Sequence, residues 1–90
     1  MTIARDQAEA LVGDLVTARG VAAGDEFAVM QEKTVETRSG WVFFYNTVEF
    51  LETGDPIAAL AGNGPIFVSR SGEVTDLPTA IPWQEAIDSL

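Results

Sequence analysis

The residues in this chain that could do chemistry are few, and most are carboxylates. Glu49 and Glu52 stand three positions apart and Asp55 follows, so three acids fall within seven residues. On a helix that spacing shares a face, as a general acid–base pair would require. Such a pair also needs a pocket that drives two carboxyl pKa values apart, and 90 residues offer little depth for one. Calcium or magnesium would need about five or more loop oxygens, and no EF-hand spacing exists here. Ser39, Ser69, Ser71 and Ser89 have no histidine anywhere in the chain to activate them, nor an evident lysine. The lack of both histidine and cysteine excludes imidazole dyads, thiolate sites, the common zinc sites and disulfides. Gly62-Asn63-Gly64-Pro65 is glycine-rich, but no parallel strand precedes it, it carries no lysine, and no helix follows. It reads as a tight turn and not as a phosphate cradle. The expectation is a non-enzyme with no cofactor, metal or catalytic site.

Charge then narrows the partners. Fourteen acids face five scattered bases, a net charge of −9, so phosphate backbones and anionic membranes are repelled. Neither nucleic acid nor a membrane is an expected partner. Between Ser39 and Ser69 there is no positive charge at all, while Glu49, Glu52 and Asp55 all lie there. Two readings stand side by side: a solvated acidic surface that keeps a small protein soluble, or a docking face for a basic partner.

The elements that would position these residues form one domain over 1–90. At 47% apolar and 21% charged, the composition supports a core. The first residues lack a basic stretch followed by an apolar one, and no run reaches 18 apolar residues, which predicts a cytoplasmic protein. An amphipathic helix is expected from Thr2 to Gly20, with Ile3, Ala4, Ala8, Leu11, Val12, Leu15 and Ala18 inward and Arg19 near its negative end. Gly13 in its interior suggests a close approach. A strand follows over about Glu26–Thr37, turns at Ser39-Gly40, and returns as Trp41–Asn46. Trp41, Phe43 and Tyr45 share one face of that return strand; Val42, Phe44 and Asn46 share the other. Its aromatics fit a central strand buried on both faces. They equally fit a face left partly open at Trp41 and Tyr45, serving a partner or a homodimer. Thr47 caps a short helix that Gly54 closes, with Val48, Phe50 and Leu51 inward. Asp55-Pro56 opens a second brief element to Leu60. Ile66–Ser69 and Glu73–Leu77 form a hairpin, and Pro82 opens a C-terminal helix with a stripe of Trp83, Ala86, Ile87 and Leu90. The fold class is α+β: an antiparallel sheet of about four strands packed by an N-terminal helix, with a short C-terminal helix.

The aromatic strand, Glu49-Phe50-Leu51-Glu52-Thr53-Gly54-Asp55, Ala61-Gly62-Asn63-Gly64-Pro65, Gly72-Glu73-Val74 and Thr79-Ala80 before Pro82 occur in an order that resembles the YrhB-like immunity family (immunity protein 35). These are small bacterial proteins, some encoded beside toxins. The resemblance covers roughly the C-terminal half to two-thirds of the chain, and the first forty residues depart from the pattern. It implies a non-enzymatic protein that neutralises a cognate protein toxin by occlusion. The residues set aside above as partner-facing, Trp41, Tyr45, Glu49, Glu52 and Asp55, are its candidate contacts, with a basic toxin suiting the three acids. A small stress-linked chaperone, a role also ascribed within that family, and an adaptor with a homodimeric sheet are the alternatives.

Overall fold

Helix α1, Arg5–Ala23, buries one narrow ridge of Ala8, Val12, Val16 and Gly20 in a computed structural model that describes residues 1–90. Steps of four residues make the ridge that packs most readily against a neighbouring element. Leu11 was expected inward but is 43% exposed, because it sits about 100° around the helix from Val12. Thr2 does not cap the start. Ala4 precedes the helix, and its N–H donates to Gln7 Oε1 at 2.8 Å.

The far end also differs from expectation. The helix runs past Gly20 to Ala23, and Gly24 takes the left-handed conformation that ends it, with φ 70°. Gly20 serves close packing instead: a Cβ there would lie 2.9 Å from Phe27 N and 3.0 Å from Asp25 O. Gly13 is no close approach, since nothing would lie within 4 Å of its Cβ.

The strand expected over Glu26–Thr37 is two short strands, β1 (Phe27–Val29) and β2 (Val35–Glu36), divided by a 3-10 turn at Gln31–Lys33. The return is β3 (Gly40–Phe43) and β4 (Tyr45–Thr47), interrupted at Phe44. Val29 pairs with Tyr45 and Val35 with Val42, so residues 30–34 stand opposite residues 43 and 44. The surplus residues bulge into the turn, and Met30 N–H donates to Phe44 O at 2.8 Å. The kink splits the pairing. β4 goes with β1, while β2, β3, β5 (Ile66–Ser69) and β6 (Val74–Asp76) form an antiparallel four-stranded sheet in that order.

Both faces of this sheet are covered. Trp41, Phe43, Tyr45, Ile66 and Val68 pack under the α1 ridge. Val42, Phe67 and Leu77 pack under α3 (Trp83–Asp88), with Ala86 buried and Phe44, Trp83 and Ile87 around it. Burying side chains of this size contributes about 1.5–3 kcal/mol each, which is what closes a chain without disulfides. Leu90, expected in the α3 stripe, is exposed beyond the helix end. Thr47 caps α2 (Val48–Thr53) as expected: its Oγ1 accepts from Phe50 N–H at 3.0 Å and donates to Ala58 O at 2.8 Å. Leu51, expected inward, is partly exposed, and Pro56–Ala59 is a single turn rather than a helix. Gly64 lets the tight loop lie against Leu77 O, where a Cβ would clash.

Candidate functional site

Two backbone bonds gather four acidic side chains on one surface of the molecule. After Gly24 the chain reverses, and Asp25 N–H returns to Gly20 O at 2.8 Å. Val48 N–H then donates to Glu26 O at 2.9 Å, which stitches the entry of α2 to the exit of α1. Asp25, Glu26, Glu49 and Glu52 thereby line one open depression of about 600 Å³, together with Gly24 and Val48. No lysine or arginine lines it.

The C-terminus of α1 strengthens this field. An α-helix carries roughly half a negative charge at its C-terminus, and the last turn of α1 contains no basic residue to offset it. Arg19 was expected to do so, but the helix outruns it by a turn and its charge is spent elsewhere. Glu49, in the first turn of α2, lies near the positive end of that helix. The arrangement suits attraction of a cationic surface and gives acid–base chemistry no enclosure.

The five residues singled out in the sequence do not form one cluster. Glu49 and Glu52 share the depression. Asp55 lies outside it, fully on the surface, where its Oδ1 accepts from Ile57 N–H at 3.0 Å and holds the next turn. Trp41 is 1% exposed and Tyr45 7%, so in the free protein neither ring is presented to a partner. The Arg70 guanidinium stacks 4.5 Å above the Trp41 ring and donates to Thr37 O at 2.6 Å and Glu36 Oε2 at 3.0 Å, which pins the β2–β3 turn.

Tyr45 belongs to a second polar assembly. Arg19 grips Asp76 with two bonds, Nη1 to Oδ1 at 2.8 Å and Nη2 to Oδ2 at 2.7 Å, and Nη1 also donates to Tyr45 Oη at 3.2 Å. The bond to Arg19 holds the Asp76 carboxyl below the usual carboxylate range, against a smaller opposing effect of burial. The same bond raises the Arg19 guanidinium further above its already high value. Beside this clamp runs a groove of about 520 Å³ between Gly62–Gly64 and Leu77–Ala80. Asn63 Nδ2 donates to Tyr45 O at 3.1 Å, which fixes the loop that forms one wall. Sequence reasoning missed Asp25, Glu26 and the Arg19–Asp76 clamp; the only trace of the first pair was two acids after a glycine.

Fold and surface together define a small three-layer α+β domain whose distinctive exterior is an open, unbalanced acidic face. The chain belongs to the Immunity protein 35 family, whose profile matches residues 4–89. It is also 51% identical over 47 residues to an Escherichia coli (strain K12) protein named "Uncharacterized protein YrhB". That match spans 51% of this chain and 50% of the relative, so about half the length of that curated relative is covered. No solved structure matches. No helix of the chain is long and apolar enough to cross a membrane.

Proposed function

We propose that this chain is a non-enzymatic immunity protein of the cytoplasm that binds a cognate protein toxin and occludes its working surface. The observation that carries this reading is membership of the Immunity protein 35 family over residues 4–89. The acidic depression supports a basic toxin as the partner. Its four carboxylates and the uncompensated end of α1 would steer such a toxin in, with Glu49 and Glu52 at the contact and Asp55 on its rim. Trp41 and Tyr45 contribute as buried core that packs β3 and β4 against α1.

The test is association with the toxin encoded beside this chain, measured by stopped flow across a salt series. The on-rate should fall as salt rises, since exposed charges are screened beyond about 8–10 Å at physiological ionic strength. Reversing Glu49, Glu52 and Asp55 together to lysine should slow association by about tenfold or more. Rates indifferent to both salt and reversal would remove these acids from the encounter. Protection of many unrelated aggregating clients, with no rescue from any neighbouring toxin, would favour a chaperone instead.

A further inference from the structure

The outer edge of β6 is an unfilled strand position. In the β5–β6 ladder Ser69 N–H donates to Glu73 O and Leu77 N–H donates to Pro65 O. With Val68 opposite Val74, Phe67 opposite Thr75 and Ile66 opposite Asp76, the bonded positions of this strand are therefore Glu73, Thr75 and Leu77. The N–H and C=O of Val74 and of Asp76 point the other way, off the end of the sheet, since β6 is its last strand. No segment of the chain bonds to them.

Edges are ordinarily blunted by lysine, proline or a bulge. Val74–Asp76 contains none of these, its three-residue length being its one such protection, and Val74 is 42% exposed. The Asp76 carboxylate, which would otherwise guard the edge, is drawn onto the α1 face and neutralised by Arg19.

We propose that this edge receives an extended segment of the cognate toxin as an added strand, bonded to Val74 and Asp76. The proposal rests on the immunity reading above. A second copy of this chain is the poorer occupant, because each copy carries −9 and two such surfaces repel. A cationic toxin strand gains from Glu73, which is exposed and has no ion-pair partner in the chain. Main-chain bonds would then supply hold, while the acidic depression supplies speed.

Hydrogen exchange with the neighbouring toxin domain bound tests this directly. In the free chain the amides of Val74 and Asp76 should exchange fast, and those of Thr75 and Leu77 slowly. On binding, Val74 and Asp76 should become protected. Val74→Pro removes an outward N–H without touching the internal ladder, so the fold should persist. Its toxin affinity should drop about tenfold, the effect of one main-chain bond left unmade. Tight binding with Val74 and Asp76 still exchanging freely, and Val74→Pro binding like wild type, would overturn the edge proposal while leaving the immunity reading intact. A wild-type chain that neither binds nor neutralises the toxin would overturn both.

Discussion

Trp41→Ala should bring this protein close to global unfolding. The ring is 1% exposed, lies in the core cluster beneath α1 and carries Arg70 at 4.5 Å over its other side. Truncating a buried tryptophan costs about 3–5 kcal/mol through lost transfer energy and the cavity left behind. Loss of the stacked guanidinium adds about 0.5–1 kcal/mol. A chain of this length has a total stability of roughly 5–13 kcal/mol, so the variant loses about a quarter of it at the high end and all of it at the low end. At about 4–8 °C per kcal/mol, the melting temperature should fall by at least about 12 °C. Urea denaturation followed by the fluorescence of Trp83, the other tryptophan, reads the effect. Trp41→Phe should cost far less, because Trp41 Nε1 is buried without a hydrogen-bond partner and phenylalanine leaves no polar group stranded. A Trp41→Ala protein within about 1 kcal/mol of wild type, yet weakened by about 2 kcal/mol or more toward the proposed toxin partner, would refute the packing argument and make the ring an interface anchor.

Two glycines of α1 should respond in opposite directions. Gly13→Ala, with open space around the new methyl, should stabilise by about 0.5–1 kcal/mol, whereas Gly20→Ala forces backbone apart at 2.9 Å and should destabilise by about 1–3 kcal/mol despite its better propensity; thermal melts of both decide. The Arg19–Asp76 clamp should appear in acid. The folded pKa of Asp76 is depressed from 3.8, so its stabilisation is present above that value and disappears as pH falls through the lower folded value. Asp76 is 60% exposed, so the difference should be no more than about 1 kcal/mol. Denaturation midpoints of wild type and Asp76→Asn should differ near neutrality and converge at the lowest pH; a constant gap would contradict the linkage.

Local rules carried the parts of this fold that are decided locally. Trp41, Phe43 and Tyr45 fall on one face and Val42 and Phe44 on the other, as a period of two requires, because each sheet face has its own helix to meet. Thr47 and Gly54 bound α2 through bonds to near neighbours, so their residue types were enough. The bulge at Gln31–Lys33 was not legible, since it exists only where two strand pairings diverge around Phe44. Arg19 and Asp76 are 57 positions apart, and no periodicity connects them.

The candidate site turns on a choice the local sequence leaves open. Gly20 and Gly24 can each end a helix. What separates them is tertiary: Gly20 fits against Asp25 and Phe27 as a helical residue, and only Gly24 adopts the left-handed turn. Had α1 stopped at Gly20, Arg19 would sit in the last turn, where it offsets the dipole. One further turn releases Arg19 to Asp76 and carries the bare negative end of the helix to Asp25 and Glu26. The bond from Val48 to Glu26 then brings Glu49 and Glu52 alongside. The acidic face therefore follows from where one helix ends, and a Gly20 side chain large enough to shift that end would perturb that face and the Arg19 clamp together.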